Sequence, residues 1–296
     1  MTLVVSWIAR DSRKASAVYV ATDSCISWNN GNVKGNIVRW NYGRKVYYSS
    51  KTPDILAFWG EAFFAGITIN QIIDADLLFN SLSYTTSDKR FDIISKIVEN
   101  SVNNYPFIDT LKGKFNLLHC SRDIIKNQFK RYVLSLDKKG RWKKTNVDTE
   151  CNLLLSEAVV FGSGKKDYLK KYKKHYEHNE TGHSSRAVFQ CFSETLKMSD
   201  LDVRCGGAPQ LVGIYNGGSG RLFGTIFNNK RFNLGLDIEF LSDFPKVEWR
   251  DELFQRCDKL TKERFEYAQQ QPRPNKIDIK SAAYKVLLNT EKNEEK

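Results

Sequence analysis

Over residues 2–60 the apolar positions fall in short runs broken by polar residues, the spacing of β-strands. TLVVSWIA and ASAVYVATDS are rich in β-branched residues, and DSRK at 11–14 supplies polar turn residues between them, which predicts a hairpin. A glycine- and asparagine-rich excursion, SWNNGNVKGN, leads to two further strand-like stretches, GRKVYYSS and DILAFWG. Lys51-Thr52-Pro53-Asp54 is the turn between them.

From Glu61 the apolar period lengthens to about 3.6. EAFFAGITINQIIDADLLFNSL spaces Phe64, Ile67, Ile69, Ile72 and Leu77 around most of a helix surface, which predicts a buried helix. DKRFDIISKIVENSVNN predicts a second, with Asp88 placed to cap it. Strands return at KFNLLHCS, FKRYVLSLD and EAVVFGSG; two helices follow, one from the lysine block at 165–174 and one over roughly 184–198. QLVGIYN and GRLFGTIFN are strand-like again, and NGGSG between them lacks the strand–helix setting of a nucleotide-binding loop and reads as a hairpin turn. In VEWRDELFQRCDKLTKERFEYAQQQ, the residues Trp249, Leu253, Cys257 and Leu260 form one helical stripe. QPRP at 271–274 stops it, and the polar end NTEKNEEK reads as disordered.

Two sheet-forming halves with helix pairs between them predict a layered α+β domain over residues 1–230. A partly helical C-terminal extension follows over 231–296. The chain has 296 residues, 41% hydrophobic and 27% charged, enough for a substantial core. No apolar run approaches the roughly 20 residues of a membrane span. MTLVVSWIAR meets Arg10 and Asp11 too early for a secretory signal, so a cytoplasmic protein without membrane partners is expected. Six cysteines are scattered with no C-x-x-C, which predicts free thiols. The four histidines do not join them at zinc-ligand spacings, so neither metal nor cofactor is expected.

The net charge of +12 is concentrated in KKDYLKKYKK at 165–174 and DKKGRWKKTN at 137–146. A solvated helix face and hairpin tip, or an assembly contact, is the favoured reading. Nucleic acid is the other.

Thr2 stands directly behind Met1. Methionine is removed before a small residue, and the mature chain would then carry a hydroxyl and a free α-amine on one residue. That amine has an ordinary pKa of about 7.7–8.0, better matched to proton abstraction near neutrality than a lysine at about 10.4. With Met1 alone ahead of Thr2, no self-cleaved propeptide is needed.

Four stretches taken in order carry a family resemblance: the Thr2 start, VATDS at 20–24, RKVYY at 44–48 leading to FWGEA at 58–62, and FGSG at 161–164 followed by DVRCGG at 202–207. Together, over roughly residues 2–215, they resemble the proteasome β-subunit family of N-terminal-nucleophile hydrolases and the peptidase subunit of bacterial ATP-dependent ring proteases. The resemblance implies a four-layer αββα sandwich and a threonine peptidase working through an acyl-enzyme on Thr2. It implies that Lys45 favours the developing alkoxide and that Asp23 fixes Lys45. Ser163, Asp202 and Cys205 would orient the amine, cysteine standing at 205 where serine is usual. The Gly60 N–H, at the mouth of the following helix, would be an oxyanion donor. Ile26, Gly43, Tyr47, Phe58 and Ala62 would border the pocket for the substrate side chain, with Phe58 as a bulky floor suited to small or medium apolar groups. A peptide or protein substrate, a homo-oligomer and an unfoldase or other protein partner are implied in the same way. Two other readings stay open: a small-molecule amidase on the same fold, and a non-catalytic scaffold or nucleic-acid-associated subunit.

Overall fold

The computed structural model describes residues 2–11, 14–29, 37–75, 86–153, 157–177, 182–266 and 268. Leu77 of the first expected helix, the stop at 271–274 and the polar C-terminal end lie outside the described residues. The chain opens with the expected hairpin of β1 (Leu3–Arg10) and β2 (Ala15–Thr22), then β3 (Ile26–Asn29) and β4 (Ile37–Trp40). β5 (Val46–Tyr48) and β6 (Asp54–Gly60) precede the helices α1 (Phe63–Asp74), α2 (Ser87–Asn103) and α3 (Ile108–Leu111). Next come β7 (Phe115–Asp123), β8 (Gln128–Leu136), β9 (Trp142–Asn146), α4 (Val147–Glu150) and β10 (Val159–Gly162). After α5 (Lys165–His175) and α6 (Ser185–Leu196), the strands are β11 (Gln210–Tyr215), β12 (Gly220–Phe227), β13 (Lys230–Asn233), β14 (Leu236–Asp237), β15 (Glu248–Arg250) and β16 (Arg256–Cys257).

This is a mixed α/β fold built on two large, mainly antiparallel sheets. One runs β10-β1-β2-β11-β12-β13-β14, with β15 parallel to β12 and β16 beside β15. The other runs β5-β6-β7-β8-β9, and β3 and β4 form a separate pair.

Alternation along β1 explains how the first sheet is covered. Leu3, Val5 and Trp7 join Tyr168 and Tyr172 of α5 and Phe189 and Phe192 of α6 in one apolar cluster. Val4, with Val18 and Val20 of β2, faces the other way and meets Val46, Ile55, Ala57 and Leu118 of the second sheet. The far face of that second sheet, through Leu56, Phe58 and Leu117, packs on Phe64 and Ile69 of α1 and Phe91 and Ile94 of α2. Strand period two thus sends successive side chains into different clusters. In α5 only Tyr168 and Tyr172 are buried, so most of the lysines of this block face solvent. No helix among the described residues is long and apolar enough to cross a membrane.

Two expectations need correction. The α2 cap is Thr86, whose hydroxyl accepts the Lys89 N–H at 3.4 Å. Asp88 instead reaches Lys130 and the Tyr132 hydroxyl, at 2.5 Å each. The helix expected from Val247 onward is absent from the described part of that segment, which holds the strands β15 and β16. Trp249 and Cys257, eight apart, are cross-strand partners. Eight residues is two helical turns, but it is equally a hairpin register, and both side chains are buried in either case. Asp251 decides for the hairpin: its Oδ1 accepts the Leu253 and Gln255 N–H groups and builds the turn.

Candidate active site

Two of the expected site residues, Asp23 and Lys45, stand beside strands of different sheets and meet in a buried ion pair. Asp23, immediately after β2, is fully buried. Its Oδ1 accepts the Leu3 N–H at 3.0 Å and the Lys45 ammonium at 2.8 Å. Its Oδ2 accepts the Gly206 N–H at 3.0 Å and the Cys25 N–H at 3.3 Å. The amide next to Thr2 and the lysine cation are therefore tied to the same oxygen atom. The Lys45–Asp23 side chains are 1% and 0% exposed. Removing one partner of such a pair costs about 3–5 kcal/mol, because the other charge stays buried.

Thr2 is 1% exposed and sits between β2 and β10. Its carbonyl accepts the Gly164 N–H at 3.4 Å. Gly162 must be glycine here: φ is +89°, and an added Cβ would lie 1.9 Å from the Thr2 carbonyl oxygen. The turn that follows brings Ser163, whose hydroxyl is 3.4 Å from Cys205 Sγ. Burial, then the charge of Asp23, pushes the Cys205 thiol up to about 12, so it stays protonated and serves as a weak hydrogen-bonding group. Asp202 opens a separate turn, the one that carries Cys205. Its carbonyl accepts the Cys205 N–H at 2.8 Å, and its carboxylate accepts the Arg204 N–H at 2.9 Å.

Gly60 closes the opposite side. Phe58 donates its N–H to the Lys45 carbonyl at 3.2 Å, whereas Glu61 donates to Lys114 on the β7 side at 2.9 Å. Strand alternation puts the Gly60 N–H on the edge used by Phe58, facing away from β7. The Gly60 φ of +103° turns the chain out of the strand. The helix mouth differs from expectation: the Glu61 carboxylate accepts the Phe63, Phe64 and Ala65 N–H groups at 2.8, 2.9 and 3.4 Å. The positive end of α1 is thus matched by its own carboxylate, and the Gly60 donor stands without help from the helix dipole.

Of the expected pocket residues, Tyr47, Phe58 and Ala62 share one apolar cluster under α1. Burial raises the Tyr47 phenol despite the Arg44 guanidinium lying 4.1 Å over its ring. Ile26 and Gly43 touch each other, with an added Cβ at 43 falling 2.2 Å from Ile26 Cγ1.

Two residues that tie these segments together escaped the sequence reading. Gln210, fully buried, accepts the Lys45 N–H at 3.0 Å and donates to the carbonyls of Gly43 at 2.6 Å and Asp23 at 3.4 Å. One carboxamide so fastens the Lys45 segment to the strand end that carries Asp23. Arg39 donates to the Cys205 carbonyl at 2.8 Å from β4. Neither belongs to a motif; only the three-dimensional packing reveals them. Among the described residues no group of three or more histidine, cysteine or acidic side chains is arranged to hold a metal ion.

The mixed α/β class is as far as the architecture itself goes. No family model matches the chain, and no curated protein matches it. Among solved structures it is similar to the (Gly-1) mutant of Anbu from Hyphomicrobium sp. strain MC1, with 14% identity, 81% of this chain and 91% of that chain covered, and a TM-score of 0.46. These findings correct the resemblance drawn from the motifs. With no matching family model, and a structural likeness this distant, the chain is not assigned to the proteasome β-subunit family or to the ring-protease peptidase subunits. Any role for the site residues has to stand on their own geometry.

Proposed function

We propose that this protein is an amide hydrolase, acting as a peptidase, whose nucleophile is the Thr2 hydroxyl once Thr2 is the first residue of the chain. One observation carries the reading: a single oxygen of buried Asp23 binds both the amide next to Thr2 and the Lys45 ammonium. A lysine buried against a carboxylate is costly for stability alone, and it suits a site where negative charge develops.

In this mechanism the Thr2 α-amine takes the proton from Oγ1, and the oxygen attacks the substrate carbonyl carbon. Lys45 stabilises the developing alkoxide, and the Gly60 N–H receives the oxyanion. The amine then protonates the leaving nitrogen as the carbon–nitrogen bond breaks. Water, deprotonated by the same amine, hydrolyses the ester left on Thr2. Asp23 holds Lys45, and Ser163, Cys205 and Asp202 orient the amine. Ile26, Gly43, Tyr47, Phe58 and Ala62 form the acyl-side pocket, with buried Phe58 favouring small or medium apolar groups.

The three apolar clusters support reading the fold as an αββα sandwich. On this reading the hydrolase domain runs to about residue 230, and the remainder is an extension whose strands β14, β15 and β16 join the first sheet. Six free thiols fit a reducing cytoplasm. A homo-oligomer is part of the proposal, and the exposed lysines of α5 are candidates for its contacts.

The test compares untagged protein, protein with an uncleaved N-terminal tag, and Thr2→Ala on short fluorogenic peptide amides. The untagged chain should turn over, and the other two should lose at least about a thousandfold with unchanged circular dichroism. Full turnover by the tagged protein would refute the mechanism.

A further inference from the structure

A pair of stacked aromatic rings lies outside the residues proposed for the acyl-side pocket. Trp59 and Phe161 stack with ring centroids 4.6 Å apart and planes 13° from parallel. They join strands of different sheets, β6 and β10, and each immediately precedes a site glycine, Gly60 and Gly162.

Strand geometry fixes their direction. Phe58 packs in the cluster beneath α1, whereas Trp59, one residue on, packs in the cluster between the sheets. The acyl-side pocket and Trp59 thus lie on opposite faces of β6, with the Gly60 N–H at the strand end between them. On the other sheet Phe161 pairs with Val4 and Gly162 with Leu3, and Val4 and Phe161 both face the space between the sheets. Thr2 is two residues before Val4, so alternation carried one residue past the start of β1 puts its side chain on that face too.

Exposure agrees. Trp59 to Ala62 and Phe161 to Ser163 are all half-buried, whereas Leu56 to Phe58 and Val159 to Val160, further down the same strands, are buried. The stack therefore stands at the rim of the site rather than deep in the core.

We propose that Trp59 and Phe161 are specificity-determining residues that select a flat apolar group on the leaving side of the bond cleaved at Thr2. This rests on the hydrolase reading above. A substrate carbonyl held by Gly60, with its acyl side chain over Phe58, would send its leaving group toward the opposite face, where the two rings stand. An aromatic group placed against such rings gains about three- to tenfold in rate over a small one, beyond simple burial.

The test uses the full chain with Thr2 at its N-terminus and two acyl donors. They are thioesters of N-acetylvaline, one leaving as benzyl thiol and one as methyl thiol. Thr2 Oγ1 attacks the carbonyl, the carbon–sulfur bond breaks, and the amine passes the proton to the departing thiolate. Acylation is read by mass on the Thr2 peptide, so adducts on cysteines do not count. The quantity measured is the benzyl-to-methyl rate ratio, divided by the same ratio for threonine amide in solution.

Wild type should show an excess of about three- to tenfold. Trp59→Leu and Phe161→Leu, which keep apolar bulk in the stack, should bring it close to one. A purely structural stack would slow both donors equally and leave the ratio alone. A wild-type excess near one, or an excess that both variants retain, overturns the inference. The wild-type value stands alone if a variant fails to fold. No acylation of Thr2 by either donor would instead bring down the hydrolase reading itself.

Discussion

At Asp23 four donors converge on two oxygens: three backbone N–H groups and the Lys45 ammonium. Such a carboxylate is fully satisfied while ionised, and each donor comes from a different stretch of chain. Gln210 sets the spacing by holding the Lys45 N–H and the Gly43 and Asp23 carbonyls. Replacing it with methionine keeps the volume but leaves these buried groups without partners, at about 1–3 kcal/mol each. Gln210→Met should therefore fold with a lowered Tm and acylate Thr2 at least about tenfold more slowly, since small misplacements at a reacting centre are costly. The pH midpoint of acylation should move as well, because the Lys45 charge shifts relative to the amine. An unchanged rate and midpoint would show that Gln210 is packing alone. Asp23, Lys45 and Gly60 were expected through the resemblance, whose short motifs sit at strand ends: Asp23 follows β2, Lys45 precedes β5 and Gly60 ends β6. Gln210 was not, since a glutamine opening a strand has no distinguishing sequence signal.

Among the elements, α2 is pinned to β6 and β7 by a buried ionic cluster. Asp54 Oδ1 receives Arg90 Nε at 3.1 Å and lies 2.7 Å from His119 Nε2. Burial alone would raise the Asp54 carboxyl. The hydrogen bond and charge of His119, with the charge of Arg90, outweigh it and hold the group at about 2, below its ordinary 3.8. A carboxyl lowered by folding stabilises the fold fully above its unfolded value, and the contribution is lost as pH falls from there toward about 2. Denaturation midpoints of wild type and Asp54→Asn should thus differ most near about pH 5 and converge as the pH approaches about 2. A gap that stays constant across that range would show that the cluster does not depend on the charge. Elements with a strong period were readable: the first hairpin, the strands flanking the site, and α1, α2, α5 and α6. Short elements such as β3, β4 and β9 were not predicted, being four or five residues long with exposed positions. The C-terminal segment misled because Trp249 and Cys257 satisfy a helix stripe and a hairpin register at once.

For the molecule as a whole, residues of both large sheets share one apolar cluster, and two further clusters join sheet residues to helix residues. The catalytic proposal depends on both sheets, since Thr2 and Asp23 adjoin strands of one, while Lys45 adjoins and Gly60 ends a strand of the other. The pairing of Asp23 with Lys45 was expected only through the resemblance carried by the short motifs, and strand alternation said nothing of it. Nothing in one dimension, however, revealed that Glu61 would occupy the end of α1, or that strands would extend the first sheet beyond residue 230. The most direct measurement is the intact mass of the untagged chain before and after an electrophile that needs both a hydroxyl and a free amine on one residue. The account predicts a starting mass lacking Met1 and a single adduct that maps to Thr2 and is absent from Thr2→Ala. A chain that keeps Met1, or an adduct that persists in Thr2→Ala, would contradict it.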